Sequence, residues 1–516
     1  MQKSKRKHTA YVSAVVICLL FTLWGILPEN LIGKYTMAQV ADLLQDKISN
    51  NFGWLFVFLM SFILIAVIFL MFSKYGKLKL GQPEDEPEFS YLTWIAMLFS
   101  AGMGIGLIFW GVSEPVMHLH EPAVPSSDIL HNARESMTYT FYHWGLQPWG
   151  FFAFIALIIA FTTFRKSRPA LISESVSPLF PEKYQSKAGV VVNTIALIAT
   201  AFGVATSLGL GAKQIAGGLN FLTPKISNTF TVQLVIIVLV TGLYLLSATS
   251  GLEKGVKFLS NANVGLAVLL LIGVLLIGPT AFLLDLFVQS IGNYLQKLPQ
   301  ISFGLGAFDP AKREWLNEWT IFYWAWWISW APSVSSFIAR ISKGRTIREF
   351  IGGVLVVPTL VTLLWFSVFG GTGIYHELFV DNQIIRTIME KGTETGLFAM
   401  LETYGSMGKI LAGLAILLIS TFFITSADSA TYVLAMFSTN GNLNPPARVK
   451  VIWGLIQSSI AVILLYAGGL EALQSVAILA AFPFLIVVIL MGINFFKWLG
   501  EEKRETQPAE NIKKSK

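Results

Sequence analysis

Long apolar stretches alternate with short polar connections along almost the whole chain, and this pattern predicts an all-α integral membrane protein. A helix needs about 20 apolar residues to cross roughly 30 Å of hydrocarbon. Twelve predicted spans meet this requirement, at 11–28, 53–73, 91–111, 137–163, 188–210, 229–249, 262–286, 317–340, 350–375, 408–437, 449–467 and 472–498. They form one domain over residues 11–499, between tails at 1–10 and 500–516.

Composition supports the membrane assignment and limits the chemistry. The 516 residues are 54% hydrophobic and 13% charged, which is too apolar for soluble domains. The one cysteine, Cys18, excludes an intrachain disulfide and argues against a thiolate metal cluster. Span 1 could be read as a signal peptide, but "LWGILPENL" offers no small-residue cleavage site. We therefore expect twelve spans and no cofactor.

Basic residues orient the predicted spans. The stretches "KSKRKH", "SKYGKLKL", "RKSRP", "ARISKGRTIRE", "PPARVK" and "KKSK" all fall on one side, and the acidic loop 376–405 falls on the other. Lysine and arginine favour cytoplasmic loops, so both termini are predicted to be cytoplasmic. Flanks that face anionic lipid account for the net charge of +7 without a nucleic acid partner.

Two spans contain residues that disfavour a regular helix. Span 3 carries Gly102, Gly104 and Gly106 in alternation, and span 8 carries Pro332 in "SWAPSVSS". Small residues also let helices pack closely, which is the alternative explanation. Unwound backbone at membrane depth requires a protein-lined cavity, so these breaks predict a central site. Because they lie five spans apart, spans 3–7 and 8–12 are predicted to be inverted repeats, as in secondary transporters.

Aromatic residues concentrate in spans 4 and 8. Span 8 has Trp326, Trp327 and Trp330 near the middle of the hydrocarbon, whereas Trp319 at its end suits an interfacial anchor. Span 4 has the complementary set Trp144, Trp149 and Phe152, with Gly145 and Pro148 able to bend the helix. No acidic residue is expected among these rings. The set therefore predicts a box for a quaternary ammonium, which binds π faces without hydrogen bonds.

Four motifs in this order, "GMGIGLIFWG", "FYHWGLQPW", "WTIFYWAWWISW" and "ITSADSAT", resemble the bacterial betaine/carnitine/choline transporter family, in particular its sodium-coupled glycine betaine members. The resemblance implies a leucine-transporter-like fold on spans 3–12, two additional N-terminal helices and a homotrimer in the bacterial cell membrane. It further implies a symporter that imports glycine betaine as an osmoprotectant by alternating access, with activation by osmotic stress.

The resemblance also implies roles for individual residues. It places the box on Trp144, Trp149, Phe152 and Trp327, with Trp326 and Trp330 lining the path, and Phe152 stands where related transporters have tyrosine. Glycine at position 106 resembles the betaine-selective pattern. A sodium site is implied between the hydroxyls of Thr425 and Ser426 and the carbonyls of Phe422, Ser100 and Met103. Candidates for a second sodium are Thr200, Thr206 and Ser207.

Other functions stay open on the sequence alone. The substrate could be choline, carnitine or proline betaine, and transport could be proton-coupled or an exchange. Serine and threonine in span 10 could simply bond to their own helix. An enzyme would need a catalytic constellation, and the sequence has no HExxH and no nucleophile elbow. A channel would need a continuous polar pore rather than an aromatic pocket.

Overall fold

The computed structural model describes residues 9–33, 35–102, 104–250 and 253–514, with side chains except at 99–102, 250, 253–258 and 503–514. Within these described ranges the chain is all-helical and contains no strand, only an isolated bridge between Lys79 and Thr346. The prediction of an all-α protein is confirmed.

The α-helices are labelled in chain order. In the first half they are α1 Thr9–Ile26, α2 Glu29–Ile32, α3 Met37–Phe72, α4 Tyr91–Gly102, α5 Ile105–His120, α6 Ile129–Trp144, α7 Leu146–Ala160, α8 Glu182–Leu222 and α9 Phe230–Ser250. In the second half they are α10 Glu253–Ile277, α11 Thr280–Phe303, α12 Pro310–Glu318, α13 Thr320–Arg340, α14 Ile347–Phe379, α15 Gln383–Lys391, α16 Gly396–Glu402, α17 Gly405–Ser438 and α18 Ala447–Lys514.

Nine helices in the described part of the chain are long and apolar enough to cross a membrane, which supports a multi-pass protein. Three features separate this number from the twelve predicted spans. Span 3 is divided into α4 and α5, and span 8 lies on α13, where tryptophan and serine lower the mean hydropathy. Spans 11 and 12 both lie on α18, whose helical backbone is interrupted at Gly469 with φ 61° and ψ −130°. The count of twelve stays a prediction.

The helices extend beyond the apolar stretches that predicted them. Helix α3 has 36 residues and α8 has 41, well above the roughly 20 that a bilayer requires. Predicted span 7 runs to residue 286, but α10 already ends at Ile277 and a new helix begins at Thr280. Gly278 and Pro279 explain this boundary, because proline cannot donate to the preceding turn. The following helix, α11, packs against α6 and α14.

The predicted break in span 3 is confirmed. Helix α4 ends at Gly102 and α5 begins at Ile105, while Gly104 between them is extended, with φ −145° and ψ −173°. Met103 lies outside the described residues. Because Gly104 is extended, no helical turn leads directly into Ile105, and the N-terminus of α5 lies inside the bundle.

The predicted break in span 8 is wrong. Helix α13 runs from Thr320 to Arg340 with Pro332 inside it. Proline removes a single N–H, and nearby serine hydroxyls can satisfy backbone groups in a membrane helix. The carbonyl that loses its N–H partner is that of Ile328, and the helix continues past it; one turn further on, the Ser336 hydroxyl donates to the carbonyl of Pro332 at 2.6 Å.

A second break occurs in span 4, between α6 and α7. Gly145 has φ −98° and ψ −128°, and a Cβ there would lie 2.4 Å from the carbonyl oxygen of Phe141. The freed N–H of Leu146 donates to the Tyr294 hydroxyl at 3.0 Å, and that hydroxyl donates to Gln147 Oε1 at 2.8 Å. The two interruptions therefore lie in adjacent spans, 3 and 4, and not five spans apart. The symmetric placement that supported an inverted repeat is lost, and the repeat stays a prediction from the resemblance.

The last helix is attached by an ionic cluster, beyond the final predicted span, to the π-helical turn Phe161–Arg165 that follows α7. The Arg165 Nε and Nη2 groups donate to Glu502 Oε2 at 2.9 and 2.6 Å, and Lys166 Nζ donates to Glu502 Oε1 at 3.0 Å. Burial raises the pKa of the Glu502 carboxyl, but the hydrogen bonds and charges of Arg165 and Lys166 outweigh it, so that pKa lies below its ordinary value.

Glu502→Gln is expected to loosen the C-terminal helix at neutral pH. Because the folded pKa of Glu502 is lowered, its contribution is present above the unfolded pKa of about 4.3 and is lost as the pH falls through the folded value. Amide exchange of residues 495–502 should rise about fivefold, equivalent to about 1 kcal/mol. The exposed neighbour provides the control, since Glu501→Gln should leave exchange unchanged. Equal exchange in both variants would contradict the attachment.

Candidate functional site

A cavity lies at the break between α4 and α5, where residues far apart in sequence meet. The break contributes four residues, α13 contributes four, and α6, α7, α8 and α17 contribute one each. The lining residues are Gly104, Ile105, Gly106, Leu107, Trp144, Phe152, Ser207, Trp326, Trp327, Trp330, Val334 and Ser426. None of these described lining residues carries a charged side chain.

The aromatic rings in the cavity wall meet at steep angles. The centroid of Trp327 lies 5.5 Å from that of Trp144 and 5.1 Å from that of Phe152, with interplanar angles of 79° and 67°. Trp144 and Trp326 meet at 88° with a centroid distance of 6.1 Å. The Trp327 N–H donates to the carbonyl of His143 at 3.1 Å, which fixes the indole. Rings at such angles present their faces and edges to one concave space.

The structure brings together most of the residues predicted for the box, but Trp149 lies behind the wall. Trp149 is 0% exposed and does not line the cavity. Its ring packs 5.9 Å from that of Phe152 and 6.2 Å from that of Trp327. Trp149 therefore supports the box rings from outside. Gly104 and Gly106 line the cavity, at the glycine break where the central site was predicted, whereas Gly102 lies outside the residues with described side chains.

Ser207 holds two of the indoles. Its hydroxyl oxygen accepts from Trp330 Nε1 at 2.9 Å and from Trp326 Nε1 at 3.3 Å. Thr200 and Thr206, the other candidates for a second sodium site, donate to the carbonyls of residues 196 and 202 on their own helix. These bonds give the three residues structural partners, and a second sodium site stays a prediction.

The residues predicted for the first sodium site are only partly among those with described side chains. Ser426 lines the cavity. The Thr425 hydroxyl is 3.0 Å from the carbonyl of Thr421 and 3.3 Å from that of Phe422, and Asn263 Nδ2 donates to it at 3.0 Å. Thr425 thus shows the bond to its own helix that sequence reasoning left open. The remaining two residues, Ser100 and Met103, lie outside the residues whose side chains are described.

Sequence reasoning missed a buried acidic residue beside the box. Glu114 on α5 is 0% exposed, and its Oε2 accepts from Trp144 Nε1 at 2.7 Å and from the Tyr323 hydroxyl at 2.5 Å. The expectation that no acidic residue lies among the rings is therefore wrong. Predicted span 3 ends at residue 111, so the prediction placed Glu114 beyond the membrane-spanning segment. The acidic residue within "FWGVSEPVMHLH", next to an apolar run, was the available signal.

Two histidines complete the cluster around Glu114. Its Oε1 lies 2.8 Å from His143 Nδ1 and 3.3 Å from His118 Nε2, and His143 Nε2 is 2.9 Å from Thr320 Oγ1. Ligand atoms of Glu114, His118 and His143 lie within 4.8 Å of one another, a spacing that could suit a metal ion. A metal would have to displace hydrogen bonds that Glu114 already makes to His143, Trp144 and Tyr323. These bonds make the cluster a hydrogen-bonded network.

Gly106→Ala is expected to displace an indole of the box. A Cβ at position 106 would lie 2.1 Å from Trp326 Cη2, so the indole or α5 must shift. Overpacking of this kind costs about 1–3 kcal/mol, which thermal unfolding of the purified protein measures. Gly413→Ala on α17 provides the control, because a Cβ there meets nothing within 4 Å. Equal melting temperatures for the two variants would show that the close approach is relieved without cost.

Comparison with known proteins agrees with the architecture of the site. The sequence model of the betaine/carnitine/choline transporter family matches residues 9–504 of this chain. The chain is 48% identical to the glycine betaine transporter OpuD of Bacillus subtilis (strain 168), over 98% of both chains. It is 41% identical to the ectoine/hydroxyectoine transporter of Virgibacillus pantothenticus, over 96% of this chain and 97% of the relative. It is 39% identical to a probable glycine betaine transporter of Desulfitobacterium hafniense (strain Y51), over 97% of this chain and 99% of the relative.

The family match covers nearly the whole chain, and these relatives match it from end to end. The protein is accordingly a multi-pass membrane transporter and not an enzyme. Together with the aromatic cavity at a helix break, these similarities show that the chain belongs to the betaine/carnitine/choline transporter family.

Proposed function

We propose that this transporter imports glycine betaine together with sodium by alternating access and so accumulates an osmoprotectant. The observation that carries the proposal is the cavity in which Trp144, Phe152 and Trp327 surround one space beside a helix N-terminus. Relatives of 48% and 39% identity are named as a glycine betaine transporter and a probable one, which favours the same substrate here.

The aromatic walls suit the ammonium end of the substrate. A quaternary ammonium has no N–H to donate, so it needs no hydrogen-bond acceptor in the wall. The cavity wall has no charged side chain and offers ring faces instead. Each ring that faces the cation contributes about 0.5–2 kcal/mol when desolvated. Three or four rings would then supply much of the roughly 8 kcal/mol that corresponds to micromolar binding, before ordering costs are subtracted.

The helix break suits the carboxylate end. Helix α5 begins at Ile105, and Gly104, Ile105 and Gly106 all line the cavity. The first N–H groups of a helix lack intrahelical acceptors and carry a partial positive charge, so they bind anions. A zwitterion with a carboxylate close to its ammonium group satisfies both ends of this cavity. Choline has no carboxylate to occupy the α5 N-terminus, so we rank it below betaine.

Sodium coupling rests on the polar residues next to the same cavity. Ser426 lines it, and Thr425 precedes Ser426 on α17. Hydroxyls and unwound backbone carbonyls are the usual sodium ligands in transporters with broken helices. We propose that sodium binds between α17 and the break after α4, with Thr425, Ser426 and Phe422 as ligands together with the carbonyls of Ser100 and Met103.

The proposal includes the setting of the protein. Both termini face the cytoplasm of a bacterial cell, where the basic flanks contact anionic lipid. The transporter assembles as a homotrimer, as the family resemblance implies. Hyperosmotic conditions activate it, and the attachment of α18 through Glu502 to the π-helical turn after α7 offers a route by which the C-terminal helix affects transport.

Uptake of radiolabelled glycine betaine into proteoliposomes tests the function directly. Accumulation above the external concentration with an inward sodium gradient, and none without it, is expected. Unlabelled choline, carnitine, proline betaine and ectoine are added as competitors, because one relative is an ectoine/hydroxyectoine transporter. If another of these solutes competes better than betaine does, the substrate is wrong. Equal accumulation without sodium would contradict the coupling and favour a proton-coupled or exchange mechanism.

A further inference from the structure

The buried carboxylate of Glu114 lies directly behind one wall of the box. It is held between three helices, because its partners Trp144, His143 and Tyr323 lie on α6 and α13 while Glu114 lies on α5. Glu114 does not line the cavity itself. A single hydrogen bond of 2.7 Å separates its Oε2 from Nε1 of Trp144, whose ring does line the cavity.

Within the described structure no lysine or arginine pairs with this carboxylate, and the basic groups that face it are two imidazoles. Its one i,i+4 neighbour is His118, and the other titratable groups that face it are His143 on α6 and Tyr323 on α13. Buried carboxylates without a cation are costly, so they need hydrogen-bond donors or a positive ligand nearby. Trp144, Tyr323 and His143 supply the donors. A cation in the adjacent cavity would supply the charge.

We propose that Glu114 is the counter-charge of the aromatic box, acting through Trp144 as a positioning residue. Its carboxylate fixes the orientation of the Trp144 indole and places negative potential behind the ring face on which the quaternary ammonium binds. Charge and ring then attract the same cation, in a dry site where the dielectric is low. This inference rests on the proposed function, because it requires a quaternary ammonium substrate.

Glutamine is a close substitute that removes the charge and retains the shape. Its carbonyl oxygen can accept from Trp144 and Tyr323, as Oε2 does. Its amide group can donate to His143 Nδ1 when the other ring nitrogen donates to Thr320 Oγ1, which lies 2.9 Å away. Glu114→Gln therefore separates the effect of charge from the effect of position, since a role in position alone would leave the variant like the native protein.

The experiment measures the dissociation constant of glycine betaine by tryptophan fluorescence, with purified full-length protein in sodium buffer. Glu114→Gln is expected to raise it about tenfold, since the ammonium loses one charge interaction. Glu377→Gln is the matched control: Glu377 is buried, pairs with His120 at 2.8 Å and does not line the cavity. The control should bind betaine as the native protein does.

Each outcome decides the inference. Equal dissociation constants for Glu114→Gln and the native protein would overturn it. If Glu114→Gln does not fold, Glu114→Asp is compared with Glu114→Asn, which share a shape and differ in charge. The aspartate variant should then bind betaine about tenfold more tightly, and equal affinities would overturn the inference. If the native protein itself binds no betaine, the proposed function fails instead, which is a separate result.

Discussion

Replacing Trp327 by leucine is expected to raise the half-saturating concentration of glycine betaine by about thirtyfold or more. Trp327 packs against two other rings of the cavity wall, with centroids 5.5 Å from Trp144 and 5.1 Å from Phe152, and against Trp149 behind the wall at 6.2 Å. Leucine removes its π face, which is worth about 2 kcal/mol for a desolvated cation. It also removes the N–H that donates to the carbonyl of His143, near the end of α6.

Proteoliposome uptake over a range of betaine concentrations measures this effect. Trp54→Leu is the control, because Trp54 lies on α3, is 49% exposed and is far in sequence from the box. That variant should transport with native kinetics. If Trp327→Leu transported betaine with native half-saturation, the aromatic cavity would not be the substrate site, whatever its geometry.

Removal of one hydroxyl beside the cavity is expected to weaken sodium dependence. In Ser426→Ala the sodium concentration for half-maximal uptake should rise at least about tenfold, because one oxygen ligand to a cation is worth about 2 kcal/mol. Ser426 lines the cavity that holds the rings, so the loss of sodium should also weaken betaine binding. The variant should recover part of its betaine affinity at high sodium.

The control for this experiment lies on the same helix. Ser420→Ala removes a hydroxyl that donates to the carbonyl of Ile416 at 2.8 Å, and its sodium dependence should equal that of the native protein. Uptake is measured at fixed betaine over a sodium series, at constant ionic strength with choline-free salts. An unchanged sodium curve in Ser426→Ala would remove Ser426 from the proposed ion site. Thr425→Ala would then decide whether any part of that site is correct.

Local features of the sequence were enough to predict the helices and one of the breaks. Apolar length predicted the spans, because a helix that crosses lipid must satisfy its backbone hydrogen bonds internally and present apolar side chains to the hydrocarbon. The alternating glycines predicted the interruption before Ile105, since glycine adopts extended backbone at little cost. Clustered tryptophans in "WTIFYWAWWISW" indicated the box, because so many rings on one helix near mid-membrane exceed what an interfacial belt needs.

Predictions that depended on contacts between helices were less accurate. Pro332 predicted a break that does not occur, because a helix in a packed bundle tolerates one missing N–H. Trp149 was placed among the box rings, but the bend at Gly145 turns it behind Phe152 and Trp327. The packing of α8 on α13 also brings Ser207 to two indole N–H groups, a contact that the sequence did not indicate, while its role at a second sodium site stays a prediction.

The sequence by itself determined that this protein is a helical membrane protein and predicted an aromatic site at a glycine break, because span length and ring clusters are local properties of the chain. Its four motifs carried the resemblance to a transporter family. Only the tertiary structure decided which rings share the cavity and that Glu114 lies behind Trp144, 30 residues along the chain. Direction and distance between side chains on different helices depend on how those helices pack, and one-dimensional spacing contains no record of that packing.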